Sequence, residues 1–346
     1  MNHVHAADES SEVAVAACRE RLDALAKPPG SLGKLERLAC QLAAAQRTER
    51  PRTQPRAAIL FAGDHGVVSE GVTMWPADVT RSVAATIAAG GGASSVLARR
   101  AATPLEVVDV GLIGTPLPPP VRHERIAEGT ANLRHHAAMT PTQYDAAVAV
   151  GQRLATESID AGSRLLVTGE MGIGNTTPAA AMTALLTGEP VETVVGPGAG
   201  ADEATLARKR VVVGDAVRRV GSNASPCEIG RQVGGLEIAA MTGLFLAAAE
   251  RDVPVVLDGF IATAAALVAA AEVTAVSTVL LAAHRSSEPG HTAALAKLGL
   301  DPILEGWNLR LGEGSGALLA LPLLDAAAAI VDEMATLEEV LTQAVS

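Results

Sequence analysis

The sequence predicts an α/β fold: a doubly wound, mostly parallel, Rossmann-like sheet with a smaller helical domain built from both chain ends. Three observations lead there. Short apolar runs recur at 57–62, 105–112, 163–168, 254–260 and 276–283, separated by stretches with helical spacing. Strands alternating with helices in this way build a parallel sheet. These runs lead into loops rich in glycine, proline or polar groups, and open α/β sheets hold ligands at the carboxyl ends of their strands. Aromatic residues are only 2% of a chain that is 49% hydrophobic. Its core is therefore made of Ala, Val and Leu, which let helices lie close on a sheet. The 346 residues suffice for one large domain, or for one large and one small.

Composition narrows the partners. A net charge of −11 opposes binding to a phosphate backbone, and the scarcity of aromatics leaves little for base stacking. No nucleic-acid partner is expected. Cys18, Cys40 and Cys227 form no CxxC pair, so neither a zinc site nor a disulfide framework is indicated. The segment 1–12 lacks the apolar core of a signal peptide. The Ala-rich runs break before about 18 apolar residues, the length a membrane span needs. The expectation is a soluble, cytoplasmic protein with no membrane partner.

Along the chain, residues 11–26 have helical spacing, with Val13, Ala16, Ala17, Leu22 and Leu25 on one face. Two prolines and two glycines in 27–33 break it, and Ser31 opens a helix through Leu35, Leu38 and Leu42. The polar stretch 46–56 marks a boundary. Residues 1–50 and 325–346 are expected to form the helical domain, and 51–324 the catalytic α/β domain. The first strand ends in Gly63-Asp64-His65-Gly66, whose acid and imidazole either face a ligand or order the loop. Helices follow over 76–89 and 93–100, then the second strand, a proline-rich surface loop at 115–120, and a helix over 139–159. The third strand delivers the loop Gly169-Glu170-Met171-Gly172-Ile173-Gly174-Asn175-Thr176-Thr177, and a helix starts at Pro178. A second glycine loop, 196–200, precedes a helix over 204–220 that carries Lys209 and Arg210. One helix is expected over 230–249. Asp258 ends the fourth strand, and the fifth leads into His284-Arg285-Ser286-Ser287-Glu288-Pro289-Gly290-His291. Two helices over 317–344 close the chain against the N-terminal ones.

The motifs restrict the chemistry by what is missing. No GxxxxGK[ST] loop occurs, and Thr177 stands where Gly172-Ile173-Gly174 would need a third glycine for a dinucleotide fingerprint. A single acid, Asp258, follows the fourth strand, where diphosphate-sugar phosphoribosyltransferases carry the pair that binds ribose and Mg²⁺. No metal and no cofactor are expected. No GxSxG elbow is present. What remains is carboxylates as catalysts and backbone amides as binders. Taken alone, Gly312-Glu313-Gly314-Ser315-Gly316 reads first as a helix-entry turn with a solvated first-turn acid. A second glycine-embedded glutamate, Glu170, favours a site. Such a pair suits removal of a proton from a weakly acidic N–H, or stabilisation of an oxocarbenium-like sugar carbon.

Six motifs now stand in order: 27–33 (KPPGSLG), 63–67 (GDHGV), 169–177 (GEMGIGNTT), 258–260 (DGF), 284–286 (HRS) and 311–316 (LGEGSG). Together they resemble the nicotinate-nucleotide–dimethylbenzimidazole phosphoribosyltransferase family over nearly the whole chain, from about Leu22 to Leu324. The resemblance implies transfer of the phosphoribosyl group of nicotinate mononucleotide to a benzimidazole nitrogen, giving α-ribazole 5′-phosphate for the cobalamin lower ligand. By the same resemblance Glu313 is the general base and Glu170 supports it or stabilises the ribosyl cation. Phosphate is expected at the amides of Gly172, Gly174, Gly198 and Gly200, with Lys209 assisting and Asn175, Thr176 and Gly312 lining the site. Asp258, Ser286 and Ser287 are expected at the ribose end, and the aromatic base near Thr73 and Met74. A homodimer is implied. The chain departs from the family where a glutamine is expected to shape the base pocket: it has Arg81 and Ser82, which leaves the preferred base open. Two other readings stand beside this one, a nucleoside or glycoside hydrolase using the same glutamates, and a nucleotide-binding regulatory protein without turnover.

Overall fold

The computed structural model describes residues 9–343; the outermost residues of the expected helical domain, 1–8 and 344–346, lie outside the described residues. Helices α1 (Glu9–Ala24) and α2 (Lys34–Gln46) lead into β1 (Arg56–Gly63). After a 3₁₀ turn at Gly66–Glu70 come α3 (Asp78–Ala88), α4 (Ala93–Arg100), β2 (Leu105–Gly111), the short β3 (Arg122–His123) and α5 (Pro141–Asp160). Next are β4 (Leu165–Met171), α6 (Thr176–Thr187), α7 (Val191–Val194), α8 (Glu203–Val220), α9 (Pro226–Val233) and α10 (Leu236–Glu250). The last third holds β5 (Val255–Leu257), α11 (Phe260–Glu272), α12 (Val276–Val279), β6 (Leu280–Ala282), α13 (Pro289–Leu298), α14 (Ser315–Glu333) and α15 (Leu337–Gln343).

The six strands pair in the order β3-β2-β1-β4-β5-β6, and every pair is parallel. This is the doubly wound order, and its winding reverses between β1 and β4. Side chains alternate across the sheet. Ile59, Phe61, Leu166, Val255 and Leu257 face a layer containing α5, α6, α10 and α11. Ala58, Leu165, Val167, Val256 and Leu281 face the other way, against α1, α2 and α14. The helices from the two chain ends thus meet as expected, and their apolar side chains are continuous with one face of the sheet. Helix α14 runs unbroken through residue 325, and Asp325 on it receives hydrogen bonds from buried Arg56 of β1 at 2.5 and 3.1 Å. Among the described residues α14 is the one helix long and apolar enough to cross a membrane, with a mean hydropathy of 1.6. Here that apolarity is spent on packing: Ala317, Leu318, Leu321 and Leu324 are buried in the core.

Several expected elements differ. In α1 the buried face is Ala14, Cys18 and Leu22, while Val13 and Ala16 point outward; a run rich in Ala and Val fits more than one helical face. The helix expected over 230–249 is broken at Gly234-Gly235, the glycine pair ending α9 and starting α10. The first half of the expected fifth strand is the helical turn α12. The loop expected to carry Glu170 begins later, because β4 extends through Met171.

Candidate active site

Open α/β sheets bind ligands at the carboxyl ends of the strands where the winding reverses, and β4 delivers Glu170 to that point beside β1. Glu170 stands opposite Phe61 of β1 in the ladder, so its position is fixed by strand pairing. Its carboxyl is 7% exposed and accepts a hydrogen bond from Asn175 Nδ2. Burial first, then the charges of Glu237 and Asp258, push its pKa up to about 8, against the opposing Asn175 hydrogen bond.

Glu313 approaches from the start of α14. Gly312, Glu313 and Gly314 are three consecutive left-handed residues, at φ 81°, 62° and 76°. For a non-glycine residue that conformation costs roughly 1–2 kcal/mol. Asp258, at the end of β5, offsets it. One of its oxygens accepts the amides of Gly316 (2.7 Å) and Ala317 (3.2 Å), the other that of Gly314 (3.0 Å), which caps the free N–H groups of α14. The turn also needs an empty neighbour: a Cβ on Gly169 would fall 2.8–2.9 Å from the Glu313 and Gly314 backbone. A Cβ on Gly312 would fall 2.7 Å from Glu170 Oε1, so the glycines bring the two glutamate-bearing segments together. Burial and then the charge of Asp258 raise the Glu313 pKa above the usual carboxylate value. Asp258 is raised too, chiefly by burial, with the His284 charge and its three amide bonds pulling the other way.

A buried cation lies beside the first turn of α6. Lys209 on α8 is 1% exposed, and its ammonium donates to Thr176 Oγ1 (2.7 Å) and Gly196 O (2.9 Å). Burial lowers its pKa to about 8, against the charge of Glu288. The expected phosphate loop is already engaged: the Gly198 amide donates to Glu288 Oε1 at 2.7 Å.

Comparison with known proteins settles what this arrangement belongs to. A family profile described as "Phosphoribosyltransferase" matches residues 7–341. The chain belongs to this family. It is an enzyme of phosphoribosyl transfer. The chain is 46% identical over 324 residues to the nicotinate-nucleotide–dimethylbenzimidazole phosphoribosyltransferase of Chromobacterium violaceum, covering 93% of this chain and 94% of that one. It is 45% identical over 329 residues to the protein of that name from Chloroflexus aurantiacus, covering 94% and 93%. The crystal structure of CobT from Thermus thermophilus superposes with a TM-score of 0.91 at 44% identity, covering 95% of this chain and 98% of that one.

The other residues expected at the site of this phosphoribosyltransferase lie on α3, on the segment before it and on the loop before α13. Thr80 of α3 accepts the Ile173 amide at 3.0 Å, which seats α3 on the loop after β4. Arg81 reaches Thr115 Oγ1 at 3.4 Å with one nitrogen, while another is buried without a partner in the structure. Ser82 is exposed and returns its hydroxyl to Asp78 O. Met74 is exposed and its sulfur meets the Thr205 hydroxyl at 3.6 Å; Thr73 accepts the Trp75 amide, and Trp75 Nε1 reaches Ala199 O at 3.4 Å. The 73–75 segment therefore borders the Gly198–Gly200 loop. The Ser286 hydroxyl accepts the Glu288 amide at 3.3 Å, and Ser287 is exposed.

Sequence reasoning missed Glu237. It is fully buried and 2.6 Å from His65 Nε2. Burial alone would lower the His65 pKa, but the Glu237 charge and hydrogen bond raise it. The signal was present: one carboxylate inside the otherwise apolar run 236–249, directly after two glycines.

Proposed function

We propose that this enzyme transfers the phosphoribosyl group of nicotinate mononucleotide to 5,6-dimethylbenzimidazole or a related base, releasing nicotinate and forming α-ribazole 5′-phosphate for the cobalamin lower ligand. The observation that carries the reading is the meeting of two buried glutamates of raised pKa at the sheet's reversal point, with a buried lysine on the same rim. One nitrogen of the base attacks C1′ of the ribose, the bond from C1′ to the pyridinium nitrogen breaks, and nicotinate leaves with the bonding pair. The attacking ring then loses its other N–H proton to Glu313. The leaving group is cationic before it departs, so no metal is required. Glu170 stands by the reacting carbon, where a developing ribosyl cation favours its ionised form.

Lys209 and the amides of Gly172, Gly174, Gly198 and Gly200 take the phosphate in this reading. Binding at Gly198 then requires Glu288 to release that amide. Ser286 and Ser287 meet the ribose end with Asp258, whose oxygens already hold α14, so its part is to keep the Glu313 turn in place. Thr73, Met74, Arg81 and Ser82 border the base. The homodimer belongs to the same proposal, supported by exposed Trp75, Trp307 and Leu311. So do the cytoplasmic setting without a membrane partner, supported by the burial of α14, and the division into residues 51–324 and a helical unit from 1–50 and 325–346.

The test is incubation with nicotinate mononucleotide and dimethylbenzimidazole in EDTA, followed by chromatography. Equal amounts of nicotinate and ribazole phosphate are expected. Nicotinate alone would make the protein a hydrolase, and activity restored only by Mg²⁺ would overturn the metal-free mechanism.

A further inference from the structure

His291 is buried, 0% exposed, near the start of α13, and the chemistry above does not use it. Its two ring nitrogens are both occupied. Nδ1 accepts the backbone N–H of Ser286 at 2.9 Å, so Nδ1 carries no proton. Nε2 lies 2.9 Å from Thr263 Oγ1, and that hydroxyl gives its one hydrogen to Gly259 O at 2.9 Å. The hydroxyl must therefore accept from Nε2–H. The neighbours fix one neutral tautomer, and a proton added at Nδ1 would face the Ser286 amide. Burial, and then the charges of His284 and Arg285, hold the imidazole neutral by lowering its pKa to about 3. A relay results, from the Ser286 amide through His291 and Thr263 to Gly259. Gly259 is the residue after Asp258, the anchor of the Glu313 turn. We infer that His291 is a positioning residue: as a neutral acceptor it sets the Ser286–Ser287 loop relative to the Asp258–Gly259 junction between β5 and α11. It thereby shapes the seat of the donor nucleotide and leaves the base pocket untouched.

This rests on the reading that Ser286 meets the phosphoribosyl end, so the experiment tests both. KM and kcat are measured for nicotinate mononucleotide and for dimethylbenzimidazole in wild type, Ser286→Ala, His291→Leu, His291→Asn and His291→Gln, with Tm alongside. Asparagine places its oxygen near the position of Nδ1 and keeps an acceptor for Ser286, whereas glutamine reaches only toward Thr263. His291→Leu and His291→Gln are expected to raise KM for the nucleotide about tenfold, the loss of one hydrogen bond, with KM for the base unchanged. His291→Asn is expected to restore most of it. Should His291→Leu fail to fold, the contrast of asparagine with glutamine carries the test. A raised KM in Ser286→Ala with no change in any His291 variant would overturn the inference and keep the site reading. So would equal losses in His291→Asn and His291→Gln, or losses shared by both substrates. No change in Ser286→Ala would overturn the placement of the nucleotide, and the inference with it.

Discussion

Two clusters of buried ionisable groups flank the loop and helix that follow β4, and burial acts on them in opposite senses. On one side Glu170, Asp258 and Glu313 sit together, and loss of water drives their pKa values up. On the other side Lys209 is buried, and the same loss of water drives its pKa down. Both clusters are pushed toward their neutral forms, because an unpaired charge is costly away from solvent. In the proposed reaction a phosphate restores the full charge of Lys209, and ionised Glu313 takes the acceptor's proton. The difference also shows in their supports: the Glu313 turn is tied by three amide bonds to Asp258, while the Gly198 amide is bonded to the carboxylate of Glu288.

The strongest way to break this contrast is Glu313→Gln. Loss of a general base lowers kcat by roughly 10²–10⁴-fold, while KM for the nucleotide and the Tm stay near wild type. Turnover within a few-fold of wild type would remove Glu313 from the base role. In wild type the acid limb of kcat/KM for the base should lie above the ordinary carboxylate range, since Glu313 is raised and must be ionised to act.

Lys209→Ala should act on the other term, weakening nucleotide binding by about 10–100-fold, as expected for a lost hydrogen bond to a charged group. An equal fall in kcat with KM unchanged would contradict an anion-holding role.

A further effect concerns stability. Glu170 has its folded pKa raised from 4.5 to about 8, so the folded state binds the extra proton. Its stabilising contribution is full below the unfolded value and is lost as pH rises through about 8. Glu170→Gln should therefore flatten the decline of Tm between about pH 5 and 8. An unchanged slope in the variant would show that Glu170 is ionised in the folded protein.

The comparison also separates what was readable from what was not. Glu170 and Glu313 could be singled out in the sequence because each stands among glycines, whereas Lys209 was singled out through the family resemblance; its burial, which removes it from the solvated helix face, was not readable locally. Asp258 stood out as the acid after a strand, but its bonding did not, because its partners lie 56–59 residues away at the start of α14. Glu237 and the bond that Glu288 makes were passed over because their contacts, at separations of 172 and 90 residues, leave almost no local pattern. Val13 was misplaced on the inner face of α1 because Ala and Val occur all around that helix, and only the position of α2 and α14 decides which side is covered.

The sequence by itself determined the alternation of strands and helices, the small-aliphatic core, the glycine turns and the acids and lysine they present. These depend on local periodicity and on backbone freedom, which neighbouring residues carry. Tertiary structure alone decided the reversal between β1 and β4, the extension of β4 through Glu170, and the turn of helix before β6. It also decided the tautomer of His291 and the pKa shifts of the buried groups. Strand order, desolvation and charge–charge distance are properties of segments far apart in the chain, and they exist only once those segments have met.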